Sequence, residues 1–346
     1  MFSKQIQAYI TVVFFGSTPF LTRLLILPTM NDTRRAVLER LADGPVPGPD
    51  LAQELDVSRN AVWKHVEALR EAGFEISSGD GGGYELESVP EFGGPAVEFG
   101  LDAPFGVEYH DAITSTNDRA RELAAEGVGD AVVLADEQTS GRGRLDREWS
   151  GPSGGVWLSL VLAPDLPPAH VPALTLAAAV ATTDAARQAG VPAEIKWPND
   201  VLVAPPADAE TERGGTKLAG ILTEMEGEAD RVSWVVVGIG VNANIPTDRL
   251  PEGATSVQNE VGAVDRRVFV QRLLERFDDL WSDPEAAVEA WRDRSATLGQ
   301  RVRVETPNGD VVGEAVDVAL PGALVVETDD GRERVHAGDC EHLRPV

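Results

Sequence analysis

The sequence predicts an α+β protein of three modules, and three observations carry that prediction. Near the N-terminus, two short helical segments joined by a tight turn precede a Gly-rich hairpin. In the middle, short apolar strands alternate with helical segments around a loop rich in Gly and Arg. Toward the C-terminus, short strands follow one another across Asn-Gly and Asp-Gly turns, the signature of tight hairpins.

Length and composition set the bounds. A chain of 346 residues has room for two or three domains and a sizeable core. Net charge is −27, and four Lys (Lys4, Lys64, Lys196, Lys217) stand among 30 basic residues. An acidic surface short of Lys looks like that of a protein adapted to high cytoplasmic salt, as in a halophilic archaeon. An acidic protein from a GC-rich genome is the plainer alternative. Either way the charge argues against general electrostatic binding to nucleic acid or to an anionic membrane. One cysteine, Cys340, excludes a disulfide framework, and five scattered His offer no zinc-ligand spacing. The expected compartment is the cytoplasm.

Residues 1–30 stand apart. They hold Lys4 and Arg23, no acid, and two apolar runs, 9–15 and 21–27. Neither approaches the ~18–20 residues that span a bilayer. No small-residue cleavage site accompanies a single apolar core, as a signal peptide would require. The expectation is that the native chain starts at Met30 and that translated upstream sequence precedes it.

The first module is expected over 31–90. Residues 33–42 read as an amphipathic helix with Val37, Leu38 and Leu41 on one face. The stretch 44–49 reads as a linker of turn residues. Residues 50–55 make a short helix, and Ser58 caps a second one over 59–72 that ends at Gly73. Together they read as a helix-turn-helix, with 74–77 and 83–86 as a β wing. A helical protein-interaction module is the alternative. Residues 58–70 resemble the recognition helix of winged-helix repressors fused to biotin protein ligases. On that basis Ser58, Arg59, Asn60 and Lys64 are the DNA-binding candidates, while Val62, Val66 and Leu69 pack inward. Twelve acids against six bases between Met30 and Pro90 leave the phosphate-driven part of DNA affinity weak.

The second module is expected over 104–295. Residues 107–110 are strand-like, and Ile113-Thr-Ser-Thr-Asn117 leads into a helix over 118–126. Ser115, Thr116 and Asn117 either cap that helix or point polar groups into a pocket at its start. Next comes Gln138-Thr-Ser-Gly-Arg-Gly-Arg-Leu-Asp-Arg-Glu-Trp149, between apolar strands at 131–135 and 155–161. Gly141 and Gly143 let a ligand approach the backbone closely. Arg142, Arg144 and Arg147 offer guanidinium forks that suit a phosphate or carboxylate. Taken alone, the stretch is equally a solvated basic hairpin.

An Ala-rich helix over 173–189 precedes a strand running into Lys196-Trp-Pro-Asn-Asp-Val201. Pro198 fixes its own φ and biases Trp197 toward extended geometry, so Lys196, Asn199 and Asp200 project from a rigid bend. An Asx-type turn is the alternative there. Lys217-Leu-Ala-Gly-Ile-Leu-Thr-Glu224 is a strand with a Lys at its mouth and Gly220 within. Two of so few Lys fall in these short stretches. Trp234-Val-Val-Val-Gly-Ile-Gly-Val-Asn242 is a buried strand whose Gly238 and Gly240 mark a close approach of ligand or backbone. It is no dinucleotide fingerprint, lacking the third Gly and a following helix.

The third module, 296–346, reads as short strands near 298–305, 311–318, 322–327 and 333–337, with Cys340 as a packed thiol.

Ser-Thr-Asn, Gln-Thr-x-Gly-Arg-Gly-Arg…Trp, Lys-Trp-Pro-Asn-Asp, Lys-Leu-Ala-Gly-Ile-Leu and Gly-Ile-Gly-Val-Asn occur in the order and spacing of biotin protein ligases. With the winged helix ahead, residues 31–346 resemble the bifunctional type that is also a biotin operon repressor. The resemblance implies a class II synthetase-like mixed sheet with helices on one side, and an SH3-like β-barrel at the C-terminus. It implies ATP-dependent biotinylation of a lysine on a biotin carboxyl-carrier protein domain through biotinyl-5′-AMP. Mg2+ would accompany ATP near Asn199, with no protein metal cage. Biotin operon DNA and a homodimer formed on adenylate loading are the further implied partners, with no membrane.

Carried onto this sequence, Ser115, Thr116, Asn117, Gln138, Gly143, Gly220, Gly238 and Gly240 surround biotin. Trp149, Lys196, Asn199 and Asn242 surround ATP, and Arg142, Arg144 and Lys217 touch both. Arg142, Arg144, Lys217 and Asp200 are the implied catalytic residues. A biotin-sensing DNA regulator with weak ligase activity, and the sister lipoate or octanoate protein ligases, are the alternatives. Two departures stand out: Asp146 replaces a glycine in the Gly-Arg loop, and the acidic stretch 204–216 is longer than the usual hairpin.

Overall fold

The protein is seen here as a computed structural model that describes residues 30–79, 83–144, 148–204, 214–228 and 230–343. The N-terminal extension and most of the acidic insertion lie outside the described residues, as does Asp146.

The first module is a winged helix with its own core. Helix α1 (Asp32–Ala42) starts where the Asn31 side chain accepts the N–H groups of Thr33 and Arg34, and it buries Val37, Leu38 and Leu41. Strand β1 (Val46–Pro47) and the first two residues of helix α2 (Gly48–Glu54) fall in the stretch read above as a linker, and the rest of α2 is the short helix read over 50–55. That reading missed that proline suits the first turn of a helix, whose leading N–H groups have no partner to lose. Helix α3 (Arg59–Glu71) is capped by Ser58 Oγ and buries Val62, Val66 and Leu69. Strands β2 (Glu75–Ser78) and β3 (Gly83–Ser88) complete a three-stranded sheet in the order β1-β3-β2.

A short helix, α4 (Gly94–Glu98), ties this module to the next. The buried Glu98 carboxylate accepts the Met30 backbone N–H at 2.7 Å and that of Val107 at 3.0 Å. Phe74 and Phe99 meet edge to face across the junction.

The second module is built on one large sheet. Its elements run β4 (Gly106–Ile113), α5 (Thr116–Ala125), β5 (Ala131–Arg142), β6 (Glu148–Gly151), β7 (Val156–Leu162), α6 (Pro172–Gln188), β8 (Ala193–Lys196) and β9 (Asp200–Val203). They continue with β10 (Thr216–Gly227), β11 (Val232–Val241), α7 (Val257–Val261), α8 (Arg266–Trp281) and α9 (Pro284–Arg292). The eight strands lie in the order β4-β5-β7-β11-β10-β9-β8, with β6 on β5. Strands β4 and β5 are parallel and the other neighbours antiparallel.

Helices α6, α8 and α9 cover one face, over Val132, Leu134, Leu158, Leu160 and Val237. Helix α5 departs from the expected one-sided helical layer: Ala120 and Leu123 pack on Ala131, Val133, Val161 and Val236 of the opposite face. The continuous apolar run at 131–135 carries the reason, since a strand exposed on one face would alternate with polar residues. No helix among the described residues is long and apolar enough to cross a membrane.

The third module is a five-stranded antiparallel sheet of β12 (Arg301–Thr306), β13 (Gly309–Ala319), β14 (Ala323–Thr328), β15 (Gly331–Val335) and β16 (Asp339–His342), in the order β15-β14-β13-β12-β16. Its core is continuous with that of the central sheet. The Trp197 indole N–H donates to the Gly322 carbonyl at 3.0 Å, and the Trp197 backbone N–H to Thr297 Oγ1, also at 3.0 Å. Thr297 Oγ1 lies 3.1 Å from His342 Nε2.

Burial, reinforced by the charge of Lys196, pushes the His342 ring down to about 4. The unfolded chain, with an ordinary imidazole near 6.5, therefore binds a proton between pH 6.5 and 4 that the folded chain refuses. Stability from this group is complete above pH 6.5 and falls with pH below it. At pH 5 the loss should be roughly 2 kcal/mol, at about 1.4 kcal/mol per pKa unit. Denaturant titrations at pH 7 and pH 5 check this: the pH-dependent loss should be smaller in His342→Gln than in the parent chain.

Candidate active site

The sequence-predicted ligand residues of the central module all line one cavity of about 720 Å³. Ser115, Thr116 and Asn117 enter it from the start of α5, and Gln138, Arg142, Gly143 and Arg144 from the end of β5 and its loop. Trp149 comes from β6, Lys196, Asn199 and Asp200 from the bend between β8 and β9, and Lys217, Gly220, Gly238, Gly240 and Asn242 from β10, β11 and the residue after it.

The floor is a buried chain of polar side chains. Gln138 Oε1 accepts the Thr116 backbone N–H at 2.7 Å and its hydroxyl at 3.0 Å. Ser159 Oγ, fully buried, stands 2.8 Å from Thr116 Oγ1 and 2.6 Å from Asn117 Oδ1. Asn117 Nδ2 donates to Glu224 at 2.7 Å. One hydroxyl proton on Ser159 faces two oxygens, while the Thr116 proton is already committed to Gln138. The floor therefore has more acceptor contacts than protons, and a ligand N–H group would supply what it lacks. Gln138 keeps its amide nitrogen as a donor, because its oxygen is held by Thr116. Ser115 caps α5 by accepting the Asp118 N–H, so the capping alternative holds for this residue.

Glycine is required where the floor meets the sheet. A Cβ on Gly238 would lie 2.0 Å from Asn117 Oδ1. Gly220 and Gly240 are cross-strand partners, and the Trp149 indole lies across both, 3.1 Å and 2.8 Å from where their Cβ atoms would be. The Trp149 Nε1 is buried without a partner among the described residues.

The cationic wall stands at the other end. A register shift in β10 between Lys217 and Ala219 turns Lys217 toward Asp200, and its Nζ lies 2.7 Å from Asp200 Oδ1 and 5.0 Å from the centre of a Trp149 ring. Asp200 is thus the partner of Lys217. Arg144 donates to Asn199 Oδ1 at 2.9 Å and to the Gly338 carbonyl of the third module at 2.7 Å. Asn199 Nδ2 donates to the Ile221 carbonyl, and Asn242 to that of Thr255. Asn199 Oδ1 thus accepts from a guanidinium, and among the described residues no group of three or more His, Cys, Asp or Glu could hold a metal ion. Arg142 pairs with Asp118, which also binds Arg121.

Several residues of this site escaped sequence reasoning. Arg249 and Leu250 reach the cavity from the segment after β11, and Arg303, Glu305 and Glu341 from the third module. The base of the Gly-Arg hairpin is held by Arg266, which donates to Asp136 at 2.6 Å, to the Gly155 carbonyl at 3.1 Å and to Glu91 at 2.9 Å. Burial alone would push the Asp136 carboxyl up, but Arg266, Ser153 and the Gly154 N–H hold it below its ordinary value. Cys340 is buried at the cavity edge, its thiol pushed up to about 12 by burial. In the winged helix, Ser58, Arg59, Asn60 and Lys64 are exposed, and the neighbouring Trp63 is 50% exposed on the same face of α3.

Comparison with known proteins agrees in all three modules. Residues 33–85 match an HTH domain, 109–242 the biotin/lipoate A/B protein ligase family, and 297–343 the biotin protein ligase C terminal domain. The chain is 36% identical over 313 residues to the bifunctional ligase/repressor BirA of Bacillus subtilis, covering 86% of this chain and 93% of that one. It is 37% identical over 238 residues to the biotin–[acetyl-CoA-carboxylase] ligase of Mycobacterium tuberculosis, covering 65% of this chain and 84% of the relative. Among solved structures, the biotin protein ligase from Aquifex aeolicus in complex with biotin and ATP superposes with a TM-score of 0.56 at 25% identity, over 69% of this chain and 99% of that one.

Proposed function

The chain belongs to the biotin protein ligase family, in the form that carries an N-terminal helix-turn-helix, and on that premise we propose how its site works. The protein is an ATP-dependent biotin ligase with a regulatory DNA-binding domain. The substrates are biotin, ATP as its magnesium complex, and a lysine on a biotin carboxyl-carrier protein domain. A biotin carboxylate oxygen attacks the α-phosphorus of ATP, the bond to pyrophosphate breaks, and biotinyl-5′-AMP forms. The carrier amine then attacks the acyl carbon, AMP leaves, and the amine proton passes to solvent or base.

Both steps gather negative charge at the α-phosphate, so fixed cations there lower the barrier. Lys217, oriented by Asp200, serves the biotin carboxylate and the α-phosphate. Arg142 and Arg144 belong to the loop that closes over the adenylate and excludes water. Trp149, Lys196, Asn199 and Asn242 line the nucleotide side, and Ser115, Thr116, Asn117, Gln138, Gly143, Gly220, Gly238 and Gly240 the biotin side.

One observation carries the choice of biotin over lipoate: the proton-poor floor at Thr116, Asn117 and Ser159. Biotin's ureido ring brings two N–H donors and a carbonyl acceptor for Gln138, whereas a dithiolane brings neither. Calorimetric titration with each acid tests the choice: biotin should bind, and binding of lipoate alone would reverse it. Arg144→Ala should release biotinyl-AMP at least roughly tenfold faster, since the residue bridges the loop to Asn199 and the third module. Biotinylation of bystander proteins would report that escape, and unchanged retention would remove the residue from the closing loop.

On the regulatory side, Ser58, Arg59, Asn60 and Lys64 face biotin operon DNA, and adenylate loading favours a cytoplasmic homodimer competent to bind it.

A further inference from the structure

We infer that Glu224 is a positioning residue that fixes the hydrogen-bonding polarity of the cavity floor and so selects a head group whose ring nitrogens donate. This deepens the biotin reading and rests on it. Glu224 lies on β10 behind Asn117 and does not line the cavity, so it acts through Asn117. An ionised carboxylate can only accept hydrogen bonds. With Glu224 Oε2 at 2.7 Å, the Asn117 amide must turn Nδ2 toward it and Oδ1 toward Ser159 and Gly238, and both Asn117 and Gly238 line the cavity.

The opposite end of the chain is fixed independently, because the Thr116 backbone N–H can only donate and so pins Gln138 Oε1. Two anchors of opposite sense thus orient the side chains between them, and leave the deficit of protons on the cavity side. Rotating Asn117 would replace an acceptor with a donor there and place an N–H against the ligand's N–H.

Charge holds the carboxylate in this role. Arg121 Nη1 stands 3.8 Å from Glu224 Oε1. Arg121 also binds Asp118, and Asp118 binds Arg142 of the Gly-Arg loop. The first two turns of α5 therefore carry an ionic chain from the loop to the acid that orients the floor. Gly238 allows this packing, since any side chain at that position would displace Asn117.

The test uses the full chain and Glu224→Gln, which keeps the shape of the side chain and removes the acceptor-only charge. The biotin KM should rise roughly fivefold, the scale of a charge-assisted acceptor replaced by a neutral amide that can turn either edge to Asn117, while the ATP KM and kcat at saturating biotin stay within about twofold. Biotin methylated on a ring nitrogen supplies a second readout. Its penalty relative to biotin should be smaller in Glu224→Gln than in the parent, because the acceptor it fails to reach is no longer held in place. Glu224→Asp, which retains the charge, should recover part of the biotin affinity. An unchanged biotin KM in Glu224→Gln, or an equal penalty for the methylated ligand in both chains, overturns the inference. Failure of the parent chain to bind biotin would overturn it together with the ligase reading, so the two failures are distinct.

Discussion

Lys217→Ala should abolish adenylate formation, lowering biotin-dependent ATP–pyrophosphate exchange by roughly 10³-fold, the scale of losing a preorganised charge at the transition state. The residue is placed for this by three features together. The register shift in β10 aims it inward, Asp200 holds its ammonium group at 2.7 Å, and the Trp149 ring flanks it at 5.0 Å. Its side chain is 30% exposed in the cavity wall, so its removal should leave the fold intact. A thermal melt close to that of the parent, beside lost exchange, is the expected pair of results. Near-normal exchange would remove Lys217 from the chemistry.

Gly238→Ala should raise the biotin KM roughly 10²-fold, as two hydrogen bonds of a buried amide fail at a cost of about 1–3 kcal/mol each. The added Cβ would sit 2.0 Å from Asn117 Oδ1, and Asn117 has no room to yield between Ser159 and Glu224. The ATP KM should change far less, because of the nucleotide residues only Asn242 adjoins the same strand, and its side chain is held by the Thr255 carbonyl. Parallel titrations of the two substrates measure the split; an equal rise in both would mean that the whole sheet had shifted. Both predictions separate the two ends of the cavity: one strikes the chemistry, the other the recognition of the head group.

Much of the site is legible in the sequence because its residues fall in short stretches with strong local constraints. Pro198 stiffens the bend that presents Asn199 and Asp200, and paired glycines in β10 and β11 announce a close approach. The scarcity of Lys makes Lys196 and Lys217 conspicuous. What escapes is set by tertiary packing. Glu224 lies 107 residues from Asn117 and carries no local signal, and Arg266 reaches Asp136 across 130 residues. The contributions of β12 and β16 to the cavity likewise follow from how the third module docks on Trp197. The side of the sheet on which α5 packs is likewise set by tertiary contacts, although the unbroken apolar run of β5 carries the clue that both faces are covered. In the winged helix, the prolines before α2 imitate a linker because turn and helix-start signals share the same residues.

ATP–pyrophosphate exchange, with biotin and separately with lipoate, tests the central claim most directly. Exchange that requires biotin and is absent with lipoate is the predicted result. Exchange with lipoate alone, or with neither acid while biotin still binds, would contradict it.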